Sequence, residues 1–230
     1  MNIFHAYENH CRNQKTYPII KHSHTALHSF FNEYSPVHQS LIIFLKNIPQ
    51  FNQISIDDRV RLLRNSFGFI NIIHATAVRN EVPTSLAESL SNVYTSSITI
   101  QLFQCIERIQ MLAHDMIIIR LLLLIITFSS GSLRNRNDVE FNDICTDSLS
   151  IFATQNRFVE LLWKYILTKS SDEIQAVKFF SKLIQFLMYL LNVHIIVDGY
   201  INSFPQEIER MDALMQSMWP SPHKNTLNFK

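Results

Sequence analysis

Glycine is scarce, with 3 in 230 residues, and proline is limited to 7. A large all-β chain spends both residues freely in its turns, so long helices joined by few loops are expected. Cysteine is equally sparse. Cys11, Cys105 and Cys145 are odd in number and far apart, with no Cys-x-x-Cys pair. Neither a zinc site nor a disulfide framework is implied. No Asn-x-Ser/Thr acceptor occurs either, so a reducing compartment, nuclear or cytoplasmic, is the expected location. Charge of one sign is also missing. Lys and Arg total 20 against 19 Asp and Glu, which gives no broad field for nucleic acid.

Catalytic signatures are absent as well. The sequence contains no βαβ alternation, Gly-rich phosphate loop, Gly-x-Ser-x-Gly or His-Glu-x-x-His. Asp57 and Asp58 are adjacent, and adjacent helical residues do not face each other. Asp-x-x-Asp-rich metal sites of a helical isoprenoid synthase are not found. A binding role rather than an enzymatic one is expected. Residues 1–21 carry His, Glu, Asn and Arg throughout and lack the apolar core of a signal peptide. The greasiest run, residues 116–128, is short for a bilayer and contains Arg120. No membrane role is expected, and a helix buried on all sides explains the run better.

What is present is apolar bulk, 47% of the chain, enough for a single buried core. Helical periodicity is expected over residues 25–47, where Leu27, Phe30, Phe31, Tyr34, Val37, Leu41, Ile42 and Leu45 recur at three- and four-residue steps. Pro36 lies inside this run and would kink or break it, and Pro49 ends it. Ser55 is a good N-cap, with Asp57 and Asp58 in the first turn of a helix to about residue 80. A short helix followed by another is expected over 85–107, and further helices over 111–128, 139–168 and 172–202, with residues 129–138 as a loop. A last short helix is expected over 207–219, stopped by Pro220 and Pro222. The domain would span 1–222, with 223–230 as a tail. The fold class is all-α, in layers.

One stretch narrows this. Phe44-Leu-Lys46-Asn-Ile-Pro49-Gln-Phe51 continues into Asp57-Asp58-Arg59-Val60-Arg61-Leu62-Leu63-Arg64. Lys46, Pro49, Phe51, Asp58, Leu62 and Leu63 stand at the spacing of the core motif of nuclear-receptor ligand-binding domains. The chain resembles that family, in the branch of the hepatocyte nuclear factors and the retinoid X receptor. Asp115 and Arg120 look like the family's eighth-helix Glu and Lys/Arg. Phe180 to Leu190 looks like its dimerisation helix, and Met211 to Trp219 like its activation helix. The resemblance implies a three-layer antiparallel sandwich of about eleven or twelve helices. It also implies a regulator of transcription that docks helical coregulator peptides under the control of a lipophilic ligand such as a fatty acid or sterol. The family's DNA-binding domain needs two four-cysteine zinc sites, and with three cysteines this chain would reach DNA only through a domain it does not contain.

Residue by residue, the resemblance implies a peptide groove lined by Ile42, Ile56, Val60 and Leu63, with Met215 and Met218 closing one side. Lys46 matches the lysine that caps the peptide helix's carbonyl end. The partner glutamate matches Ser217, or Gln216 one residue earlier, neither of them charged. Arg59 and Arg64 add positive charge around the groove. Weak binding of an ordinary Leu-x-x-Leu-Leu coactivator peptide follows, and a corepressor helix fits better. The implied pocket is Glu33, Tyr34, Val37, Phe67, Asn71, Ile72 and Ala75, with Val197 and Tyr200 from the far helix. The family's acid-binding arginine matches Val78, and Arg79 lies one residue, roughly 100°, further round the helix. A solvated helix-end cation is an equal reading of Arg79. The family's buried Glu–Arg pair matches Phe69 and Leu191, both apolar, which substitutes packing for charge.

Two other readings stay open. Haem ligation, with Cys11 and His194 as candidates, is not expected. Constitutive homo- or heterodimerisation through residues 172–202, with a filled pocket and no ligand, is the alternative. That segment has more apolar positions than one buried stripe requires.

Overall fold

The computed structural model describes residues 23–77, 83–129 and 144–219. Within them are ten helices and no strand, so the all-α class is correct. In chain order the helices are α1 (Leu27–Lys46), α2 (Pro49–Asn52), α3 (Ile56–Ala77), α4 (Thr84–Val93) and α5 (Ser96–Leu112). They continue as α6 (Met116–Thr127), α7 (Ser148–Lys169), α8 (Glu173–Asn202), α9 (Pro205–Glu209) and α10 (Ala213–Met218).

α3 is the hub. It packs on α1 to one side, on α5 and α6 within the middle of the molecule, and on α8 beyond. α6 is wedged between α3 and α7, and Ile118 through Leu124, Arg120 included, are all buried. A helix with no polar face is stable only with protein on both sides, and this placement provides it. α1 with α2, then α3, α5 and α6, then α7 and α8 form three layers, and α9 and α10 close over α1.

Pro36 lies inside α1 without ending it. Proline removes one i→i−4 bond, here to the Asn32 carbonyl, and the exposed face of the helix carries it. Ser55 caps α3 as expected, accepting from the Asp58 N–H at 3.2 Å. Asp172 caps α8, accepting from Gln175 N–H at 2.8 Å.

Several boundaries differ from the expectation. Over 85–107 the expected short helix followed by a second one is present as α4 and α5. Tyr94 is extended, and Thr95 opens α5 by accepting from the Ile98 N–H. α5 runs on to Leu112, so Met111 belongs to it. α6 begins only after Asp115, whose side chain accepts from Ile117 N–H at 3.1 Å. The helix expected from residue 139 starts at Ser148; 139–143 lie outside the described residues, and 144–147 are bound by Asp58 instead. Asp58 is 1% exposed. Its carboxylate accepts from Thr146 N–H at 2.9 Å, Thr146 Oγ1–H at 2.6 Å, Asp147 N–H at 3.2 Å and Arg61 at 2.7 Å. Burial pushes this carboxyl up, but the bonds from Thr146, Arg61 and Asp147 outweigh it and hold its pKa well below the usual range. The last helix is also two pieces, α9 and α10, parted at Arg210–Asp212.

Candidate functional site

The sequence brings an aromatic run, Phe30, Phe31, Tyr34 and His38, onto one face of α1 at three- and four-residue steps. Opposite it, α3 presents Gly68, Asn71, Ile72 and Ala75. Between them lies a cavity of about 100 Å³, closed further by Leu86 and Leu90 of α4, Leu102 and Ile106 of α5, and His194, Val197 and Asp198 of α8. Gly68, Asn71, Ile72, Ala75 and Gln110 are its partly exposed lining residues. The volume is below the roughly 300–1,000 Å³ of drug-sized ligand pockets.

Trp219, at the end of α10, takes up part of this space. It lines the cavity, is 4% exposed, and packs against Phe31 with ring centroids 5.1 Å apart. Its Nε1–H donates to Asp198 Oδ1 at 2.6 Å. The rest of α10 is latched equally firmly. Asp212 N–H donates to Asn32 Oδ1 at 2.7 Å, and Asp212 Oδ1 caps the helix by accepting from Met215 N–H at 2.9 Å. Gln216 Nε2–H donates to the Glu209 and Met211 carbonyls. α9 is tied to α1 by Glu207, which accepts from His28 N–H at 3.2 Å and pairs with its Nδ1 at 2.8 Å.

Two histidines, His38 in the cavity wall and His74 behind it, are fully buried. His74 Nε2 bonds the Ser40 hydroxyl at 2.9 Å. Neither ring nitrogen of His38 has a hydrogen-bond partner among the described residues; the ring sits against Phe67, centroids 5.2 Å apart, and near Tyr34 and Phe31. Burial pushes both imidazoles down to a pKa of about 3, and each stays neutral at ordinary pH. On the far wall His194 stacks on Phe69 and lies directly over Gly68. A Cβ added at Gly68 would stand 2.7 Å from His194 Cε1. The glycine is therefore required by the close approach of the ring.

Of the pocket residues expected from sequence, Tyr34, Asn71, Ile72, Ala75 and Val197 line the cavity. Val37 and Phe67 do not; both are core, 0% and 1% exposed. Glu33 is turned away to pair with His24. Tyr200 is spent elsewhere, its hydroxyl donating to the Val93 carbonyl at 2.9 Å and its ring lying on Tyr94. Arg79, Val78 and Cys11 lie outside the described residues, as do 220–230. His38, Asp198, His194 and Trp219 were missed as pocket residues. His38 was within reach, being one turn beyond Tyr34 on the same face of α1.

The expected peptide groove is brought together in part. Ile56, Val60 and Lys46 are exposed, Ile42, Leu63, Arg59 and Arg64 partly so, and Ile43 adds a further exposed apolar side chain. Arg59 bonds Asn52 Oδ1 at 3.4 Å. Met215 and Met218 do not wall this surface. They are 0% and 7% exposed and face inward, because α10 packs its apolar side onto α1 and α3. Ser217 is exposed, with its hydroxyl donating to the Leu214 carbonyl at 2.7 Å.

α8 buries one face and exposes another, along which Val177, Ile184, Met188 and Ile195 follow at seven- and four-residue steps. It is the one helix among the described residues long and apolar enough, by length and composition, to cross a membrane, although its packing on α5, α7 and α3 gives it a protein-facing side. Compared with known proteins, the chain matches no family model and no curated relative.

Proposed function

We propose that this chain is a divergent ligand-binding domain of nuclear-receptor type that regulates transcription by docking helical coregulator peptides. The observation that carries the reading is the latch of α10. A short C-terminal helix is pinned by Asp212 and Trp219 across α1 and α3, over an apolar cavity. The same two helices hold out Ile56 and Val60, flanked by Lys46. An amphipathic peptide helix laid on this strip would bury its apolar side chains there, with Lys46 at its carbonyl end. Lipophilic control would act by shifting the population of α10 between latched and released positions. The small cavity and the indole inside it set the resting state on the latched side.

With Ser217 rather than a glutamate beside the strip, only one end of the peptide helix meets a charge, and charge-assisted bonds are the stronger ones. A corepressor-type helix, longer and less dependent on two capped ends, fits this surface better than Leu-x-x-Leu-Leu. Fluorescence anisotropy with labelled peptides of both kinds tests the proposal. The corepressor-type helix is expected to bind more tightly and to lose affinity when Ile56 and Val60 are both replaced by Asp. Sub-micromolar binding of a plain Leu-x-x-Leu-Leu peptide, or binding indifferent to I56D/V60D, sinks it.

The exposed stripe on α8 favours a second role, dimerisation. Val177, Ile184, Met188 and Ile195 repeat as the seam of two packed helices does, and exposed apolar rows of this kind mark contact surfaces. Native mass spectrometry should show a dimer that I184D/M188D converts to monomer.

A further inference from the structure

The polar groups around the cavity specify what kind of molecule it holds. His38 is 0% exposed, lines the cavity, and has neither ring nitrogen hydrogen-bonded among the described residues. Asn71, one helix turn from the Trp219 contact at Phe67, contributes a buried side-chain carbonyl, Oδ1, that is likewise without a hydrogen bond among the described residues. A buried polar group without a partner costs about 1–3 kcal/mol, and buried polar atoms are ordinarily satisfied. These two are arranged around one space. Among the described residues, none that lines the cavity is Lys or Arg. The acidic one, Asp198, already accepts from Trp219 on Oδ1 and from Asn202 on Oδ2 at 3.3 Å. An acid entering here would bury a carboxylate with no cation and next to another carboxylate, the costliest arrangement available. An ammonium only donates, so it would leave the His38 N–H without an acceptor. A hydroxyl has what is wanted: a neutral imidazole offers one donor and one acceptor, an amide oxygen one acceptor, and an O–H both gives and receives. Phe30, Phe31, Leu90 and Ile106 supply the apolar surroundings for the rest of the molecule.

We infer that the cavity binds a neutral apolar molecule carrying a hydroxyl group, with His38 and Asn71 as its polar anchors, and that it discriminates against fatty acids. The inference rests on the ligand-controlled reading above in taking this cavity as the controlling site, and it sets aside the fatty acid among the ligands that the family resemblance implies. Binding is tested at pH 7.5 by calorimetry with three probes of equal chain length: octan-1-ol, octanoate and octylamine. Two neutral hydrogen bonds to His38 and Asn71 correspond to about a tenfold preference, so octanol is expected to bind at least tenfold more tightly than either ionised probe. His38→Phe and, separately, Asn71→Leu should each reduce that preference severalfold. The partly exposed Asn71 keeps the test available if the core variant folds poorly. Equal or tighter binding of octanoate or octylamine, no binding by any probe, or an unchanged preference in both variants overturns the inference. The peptide titration is independent. Alcohol binding without peptide docking removes the coregulator reading alone, and peptide docking without alcohol preference removes this one alone.

Discussion

Acid should unfold this protein from the inside, through His38 and His74. Both imidazoles are buried and neutral, with pKa values pushed from 6.5 to about 3. In the unfolded chain each takes up a proton below 6.5; in the folded chain neither does until about 3. The unfolded state therefore binds more protons across that window, and stability is full above 6.5 and falls as pH falls. One proton difference is worth about 1.4 kcal/mol per pH unit, so the pair together removes about 2.7 kcal/mol per unit. Against a typical stability of about 5–15 kcal/mol, a drop from pH 6.5 to 5 takes away a large share. The carboxyls of Asp58 and Glu207, held below their usual 3.8 and 4.5, stay ionised in the folded chain and are mostly ionised in the unfolded one over this interval, so they add only a small term of the same sign near pH 5. Urea unfolding at pH 7.5, 6.5, 6 and 5, followed by circular dichroism, measures it. In His38→Phe the ring lost has no hydrogen bond to break, and one of the two titrations disappears. The slope should halve to about 1.4 kcal/mol per unit. A flat wild-type profile between pH 6.5 and 5, or the same slope in the variant, refutes the claim that these imidazoles are kept neutral by burial.

Three further outcomes are expected. Gly68→Ala forces its methyl into the His194 ring, which is itself held by stacking on Phe69. The strain should lower stability by about 1–3 kcal/mol, while Gly199→Ala, with open space around it, should be neutral or mildly stabilising; thermal melts compare the two. Asp58→Ala removes four bonds to a charged acceptor, each worth about 1.5–3 kcal/mol at most. Hydrogen exchange should show residues 144–147 released, and a protected Thr146 amide in the variant would contradict the clamp. Trp219→Ala empties part of the core and leaves Asp198 without its indole donor, at a cost of about 3–5 kcal/mol. Limited proteolysis should then cut near Arg210 while α1 to α8 stay intact, and an unchanged digestion pattern would show that α10 is not held by its tryptophan.

Much of the fold was legible because local rules carried it. Glycine scarcity, the apolar periodicity of α1 and α3, and the polar-free run of α6 each follow from the chain's own order of residues, and helix is the form that satisfies backbone groups without distant partners. Ser55 marked a helix start because a cap acts within three residues. Where the reading failed, the cause was a contact between segments far apart in sequence. The start of α7 was lost to Asp58, 88 residues before Thr146. The last helix was cut in two where Asn32 takes the Asp212 amide.

The candidate site divides the same way. Tyr34, Asn71, Ile72 and Ala75 were assigned to the pocket by resemblance to the family, and they do line the cavity. Glu33 and Tyr200 were assigned to the pocket by resemblance and are drawn off by His24 and Val93, partners that the spacing along α1 or α8 does not reveal. The sequence alone determined an all-helical chain with an aromatic face on α1 opposed by apolar residues of α3. Tertiary structure decided that His38 would be sealed without a hydrogen bond among the described residues, that Met215 and Met218 would face inward, and that Trp219 would wall the cavity. Those outcomes depend on which surfaces meet when the layers close, and burial strips water from a group only once its neighbours are in place.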